Sequence, residues 1–411
     1  MQISSNFAPP FKLIAPFFIL AVLVLLICAV SLFSFNVDYL SSLNAGVFAW
    51  VHMFLLGFVM MIIFGAMAQL VPVVLEVEHF AVELYYAIYP LLLIGTILMV
   101  FGFVKYPILL PFGGVVALIA FGIFLIETFM TLLKIKKIDF VTVSVIIANI
   151  FLLIGIIVGI ILSLGYSGIL QVEIHRFLTT HIYFVFIGYV GITIIGISLV
   201  LLPMFWLSHS FFDKWVKVSL LLLSLGVCFV GLGALFSSEL IQFSGYLLSL
   251  IAMILYFIQI ISIYLKRARV EKNIYLKSIF VSIGFFLISI VLAVVFIVNS
   301  NQNILLTLGW FSFGFVLFLI SGHLYKIIPF LVWYERFSPF VGKRKVPMFS
   351  DMVPKRSSNM QYLFSSVGWF GIGVALLFQW QILFLSSVSF LFIGIVFLFK
   401  DIVYMINFKE N

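Results

Sequence analysis

The chain has 411 residues, 65% of them hydrophobic and only 9% charged, with a mean hydropathy of +1.34. No soluble domain of that composition covers its surface with polar atoms, so the sequence reads as an integral, polytopic membrane protein in contact with a lipid bilayer. The net charge of +8 fits loops that touch anionic lipid, and with no nucleic-acid-binding motif beside it, no nucleic-acid partner is expected.

Apolar runs of spanning length are predicted at 12–34, 45–74, 85–104, 110–133, 141–165, 178–206, 215–237, 244–265, 278–298, 304–333, 362–378 and 382–399. The first is too long for a signal-peptide core and lacks a small-residue cleavage site, so it is expected to be retained. Cys28 and Cys228 fall inside spans, and no C-x-x-C pair is present. The loop 74–84 carries Glu76, Glu78, His79 and Glu83 without Lys or Arg; His79, like His209 further on, is expected to be solvated. Glu127 is a carboxylate well inside the fourth span, either a proton stop or ion ligand or a protonated, helix-bonded acid. The longest connection, 334–361, is basic and is read as a cytoplasmic loop.

Placing the N-terminus inside puts almost all Lys and Arg on the cytoplasmic side and leaves only Lys105 and Arg176 outside. This bias predicts a multi-pass protein of the inner (cytoplasmic) membrane with both termini cytoplasmic.

The second, sixth and tenth spans share one spacing: Gly57, Gly65, Pro72; Gly188, Gly196, Pro203; Gly314, Gly322, Pro329. With 28 Gly in the chain, chance reproduction of both glycines in two further helices is about 2 × 10⁻⁵. The predicted fold is therefore all-α: one integral membrane domain of twelve transmembrane helices in three pseudo-repeats of four, covering residues 1–137, 138–270 and 271–411. Each Gly–Gly–Pro stripe is expected to pack closely, with the proline kinking or ending its helix.

His52 lies five residues before Gly57, and a neutral imidazole there can ligate iron or copper. The same slot holds Tyr183 in the sixth span and Gly309 in the tenth. His181, two residues from that slot, and His175, placed in the outer loop with Glu173 and Arg176, are further metal candidates; His323 lies near the inner surface. No Ser-His-Asp, P-loop, HExxH or dinucleotide motif is present, which argues against hydrolase, ATP-driven and Rossmann chemistry.

Twelve helices in three fours, with HMFLLGFVMMIIFGAMAQLVP in the second, resemble the catalytic subunit I of the heme-copper oxidase superfamily, which includes the nitric oxide reductase large subunit. The spacing of His52, Gly57, Gly65 and Pro72 also resembles the NnrS family, twelve-helix membrane proteins linked to nitric oxide stress. The resemblance implies a heme b on His52, with His181 as second metal candidate and Arg176 as propionate partner. It also implies oxidoreductase activity in respiratory electron transfer or nitric oxide chemistry, with respiratory subunits or cytochrome c as partners. The sequence departs from that pattern. The seventh span has no histidine for copper, the tenth has Thr307 and Gly309 where heme ligands would stand, and 379–381 has no arginine pair. A degenerate copper site is the expectation. The alternative is a non-catalytic, copper- or metal-handling protein or a transporter on the same scaffold.

Overall fold

The computed structural model of the protein describes residues 7, 9–40, 44–269, 271 and 273–409; the basic residue Lys272 lies outside them. Twelve helices are long and apolar enough to cross a membrane: α1 (Phe11–Ser34), α2 (Ala45–Leu75), α3 (Val82–Val104), α4 (Leu109–Leu132), α5 (Phe140–Tyr166), α6 (Ile174–Trp206), α7 (Lys214–Leu235), α8 (Glu239–Leu265), α9 (Ile274–Asn299), α10 (Gln302–Arg336), α11 (Lys355–Phe378) and α12 (Gln381–Ile406). No strand occurs among the described residues. The chain is an all-α, multi-pass membrane protein.

The three Gly–Gly–Pro helices are also the three longest, with 31, 33 and 35 residues. At 1.5 Å per residue they run to about 46–52 Å, well beyond a hydrocarbon layer of about 30 Å. Their prolines do not end them. The chain continues helically from Pro72 to Leu75, from Pro203 to Trp206 and from Pro329 to Arg336. α2 and α6 stop instead at left-handed residues, Glu76 (φ 52°) and Leu207 (φ 53°), which stand at the same repeat position. The following amides close back onto the prolines, Val77 N to Pro72 O and Ser208 N to Pro203 O, as in a C-terminal helix cap. The sequence hid these caps because neither residue is glycine.

The described residues form two compact bodies, Leu70–Glu271 and Pro9–Gln69 with Lys272–Asn411. In the second body, a Cβ on Gly57 would approach Val24 Cγ1 of α1 to 2.5 Å, and one on Gly65 would approach Phe17 Cβ to 2.7 Å. In α10 of the same body, Gly314 meets Phe285 and Gly322 meets Ser278, both on α9. In the first body, Gly188 meets Phe151 and Gly196 meets Ser144, both on α5. The partner residues sit seven apart in every case (17 and 24, 144 and 151, 278 and 285), so one helix-on-helix contact is built three times. Side chains other than hydrogen would force these pairs apart.

The remaining helices form tight hairpins. Gly95 and Gly113 join α3 to α4, Gly226 and Gly245 join α7 to α8, and Gly368 rests against Leu391 to join α11 to α12. The hairpin register is the same in all three. Adding 132 to Gly113, Ala117 and Glu127 gives Gly245, Ser249 and Gln259, and adding 142 to those gives Ser387, Leu391 and Asp401. The larger second step matches the longer α10–α11 connection.

Side-chain caps follow the repeat as well. Asn44 and Asn301 cap α2 and α10, and Asp139 and Asn273 cap α5 and α9, each accepting from amides of the first turn. One feature had no sequence signal: α2 widens into a π-helical stretch over Met53–Met60, and α6 does so over Tyr183–Gly191. Such stretches recur at functional sites.

Candidate functional site

In the first body the α3–α4 hairpin sets Tyr85, at the start of α3, beside Glu127, which stands five residues before the end of α4. Glu127 is 1% exposed. Its Oε1 accepts from His79 Nδ1 at 2.7 Å and from Thr131 Oγ1, one helical turn on, at 2.8 Å. Its Oε2 accepts from Tyr85 OH at 3.0 Å.

The connection between α2 and α3 is folded over this carboxylate and pinned there. Phe80 N donates to Thr131 Oγ1, and Lys134 Nζ donates to His79 O at 2.8 Å and Glu78 O at 3.3 Å. His79, expected from its loop position to be solvated, is only 7% exposed, because Glu127 draws its ring inward. A lone carboxylate at this depth would be strongly disfavoured; three donors, the His79 imidazole among them, offset the lost hydration.

The polar line continues away from the connection. Thr128 of α4 and Tyr189 of α6 neighbour Tyr85. Both hydroxyls are buried and make no hydrogen bond among the described residues. Tyr189 stands on the π-helical stretch of α6. His79, Glu127, Tyr85 and Tyr189 thus mark a row of protonatable groups leading inward from the connection.

The metal candidates lie elsewhere. His52 is half-buried on α2, and its Nδ1 contacts Phe48 O at 2.8 Å. A carbonyl only accepts, so Nδ1 carries the proton and Nε2 is the basic nitrogen. His181 on α6 contacts Gly155 O of α5 at 2.8 Å in the same manner, and Gly159 leaves room for its ring. That bond has a counterpart: Trp50 Nε1 donates to Cys28 O of α1 at 3.1 Å, and Trp50 and Cys28 are the repeat equivalents of His181 and Gly155. His181 therefore holds a helix-tethering position. α6 begins at Ile174, so His175 is in its first turn rather than in the loop, and it is exposed. Arg176 pairs with Glu173 at 2.8 Å on the surface, an interaction worth under about 1 kcal/mol. His209 is exposed, as expected, and His323 Nδ1 bonds Leu319 O at 2.7 Å.

The contact between α2 and α10 is built from aromatic rings. Trp50 stacks on Trp310 at 5.5 Å, Phe54 stacks on Phe313 at 5.2 Å, and Trp369 of α11 stacks on Trp310 at 4.1 Å. The two indoles Trp310 and Trp369 also donate to each other's carbonyls, at 2.9 and 3.1 Å. These rings fill the contact, and α10 carries Thr307 and Gly309 where the resemblance would put heme-ligating histidines. Among the described residues, no three His, Cys, Asp or Glu side chains gather as a metal-binding group.

No protein-family model and no curated protein matches the sequence. The site therefore rests on its own residues. Sequence reasoning reached Glu127 but missed its donors, because His79 and Tyr85 become partners only when the connection folds over α4. It also missed Asp401, since the apolar run stops at Lys400 while α12 continues to Ile406.

Proposed function

We propose that this chain is a membrane protein that takes up and passes protons, with Glu127 as the proton carrier and His79 as its exchange partner at the cytoplasmic face. The single observation behind this reading is a carboxylate at 1% exposure held by His79, Tyr85 and Thr131. An ionisable group kept at such depth is costly and marks an ion or proton route. Tyr189 and Thr128 extend the route inward. In this reading the connection above Glu127 faces the cytoplasmic side of the inner membrane, which the bias of Lys and Arg supports.

The test uses the purified full chain in vesicles loaded with a pH-sensitive dye and given a potassium diffusion potential. Wild type is expected to carry protons faster than protein-free vesicles, Glu127→Gln to fall to the protein-free rate, and His79→Gln to lie between. Equal rates for wild type and Glu127→Gln would overturn the proposal.

A second reading, a heme protein tied to respiratory or nitric oxide chemistry, has one specific support. The His52 Nδ1–Phe48 O bond at 2.8 Å orients the ring as an outer-shell bond orients a ligating imidazole. In that reading His52 alone among the α2 and α10 residues holds the iron, which would supply redox chemistry when bound. A Soret band from heme-replete cells that weakens in His52→Ala would support it; a colourless preparation would reject it.

A further inference from the structure

The repeat register carries a second conclusion, independent of whether Glu127 passes protons. The fourth helix of each repeat holds one buried polar side chain at the same position: Glu127 on α4, Gln259 on α8 and Asp401 on α12, which are 1%, 0% and 0% exposed. Each is set against the start of the preceding helix or its connection. Glu127 accepts from Tyr85 and His79. Gln259 donates Nε2 to Phe212 O at 2.8 Å and accepts from Val216 N at 3.4 Å. Asp401 accepts from Tyr325 OH of α10 at 2.7 Å through Oδ2, with Ser357 in the first turn of α11 as its other polar neighbour.

The three differ in how their hydrogen bonds are satisfied. Glu127 has three donors, one of them an imidazole, and Gln259 needs no proton. Asp401 has one neutral donor, while its Oδ1 and the Ser357 Oγ beside it are buried and make no hydrogen bond; neither does Gln361 Oε1, one turn along α11. An ionised carboxylate with so few donors is strongly disfavoured.

We propose that Asp401 is a proton-binding site: a proton taken from water onto Oδ1 is donated to Ser357 Oγ, while Oδ2 keeps its bond from Tyr325. That single proton neutralises the charge and satisfies both unbonded atoms. The groups around Asp401 agree with it. Tyr325 is the partner on α10, where His323 and Lys326 are turned to the Tyr275 ring of α9. The first turn of α11 holds Lys355 and Arg356, both exposed, then Ser357; Lys12 on α1 and Lys400 on α12 are exposed as well. No cation is bonded to the carboxyl among the described residues.

The test is infrared spectroscopy of the full chain at about pH 6, above the range in which exposed carboxyls hold protons. A carbonyl-stretch band of a buried carboxylic acid is expected, sensitive to deuterium, lost in Asp401→Asn and retained in Glu127→Gln. Asp401→Asn is expected to fold, because Gln259 shows that an amide serves at this position. Asp401→Glu should move the band without removing it, which covers the case in which the asparagine variant misfolds. A spectrum without an Asp401-dependent band, or one whose band vanishes only in Glu127→Gln, would overturn the proposal. Proton flux through Glu127 is a separate readout, so either idea can fail alone.

Discussion

Gly368→Ala is expected to destabilise the protein by about 2 kcal/mol net. A Cβ at this position meets the backbone of α12, at Leu391 N and, at 2.7 Å, Leu391 Cα. Backbone cannot swing aside as a side chain does, so α11 and α12 must separate by roughly 1 Å to reach ordinary carbon contact. Overpacking of this kind costs up to about 3 kcal/mol, against which alanine's better helix propensity returns about 1 kcal/mol. The equivalent glycines grade the effect. Gly226 faces Gly245 O at 2.9 Å and Ser249 N at 3.0 Å, so Gly226→Ala should cost about 1 kcal/mol. Gly95 faces Ala117 N at 3.0 Å and Gly113 O at 3.1 Å, so the two terms nearly cancel. Gly122, with nothing within 4 Å, should be stabilised by about 0.5–1 kcal/mol. Unfolding by SDS in mixed micelles, followed by circular dichroism, gives the four values. A Gly368→Ala protein as stable as wild type, or a Gly122→Ala protein as damaged as Gly368→Ala, would refute the reasoning.

Four further outcomes are expected. His79→Ala should destabilise by about 3 kcal/mol by leaving Glu127 buried without its imidazole, and adding Glu127→Gln should restore part of that in the same unfolding assay. Leu207→Gly relieves a left-handed residue (φ 53°) and should stabilise by about 1 kcal/mol, read as a shifted midpoint. Asn301→Ala removes the acceptor for Asn303 N and Ile304 N and should cost about 1 kcal/mol. In a chain without Cys28 and Cys228, Lys105→Cys should react with an impermeant thiol reagent in intact cells and Lys409→Cys only after permeabilisation; the reverse pattern would refute the proposed orientation.

The spans were legible because hydropathy alone fixes them, and their bounds agree within a few residues except where polar turns extend a helix. α6 begins four residues before its apolar run because His175 in its first turn is exposed, and α11 begins seven before its run because Lys355 and Arg356 are exposed as well. The Gly stripes were legible as packing surfaces, and each meets the helix before it. What was not legible depends on folding in three dimensions. The partnership of His79 with Glu127 spans 48 residues and exists only because a connection closes over α4. Asp401 was hidden behind Lys400, although its distance of 142 from Gln259 repeats the distance from Gly226 to Gly368. The tether of His181 to Gly155, which matches that of Trp50 to Cys28, also had no sequence signal.

Three uses of one packing unit are tested most directly by cross-linking its repeated contact in a cysteine-free background. The pairs are Phe17→Cys with Gly65→Cys, Ser144→Cys with Gly196→Cys, and Ser278→Cys with Gly322→Cys; the Cβ of each first residue lies 2.7, 2.7 and 3.1 Å from the Cβ built on its glycine. All three are expected to form disulfides under mild oxidation, while Ile19→Cys, about 200° round α1 from Phe17, does not pair with Gly65→Cys. Failure of any one repeat to cross-link, or equal reaction of the Ile19 control, would contradict the threefold build.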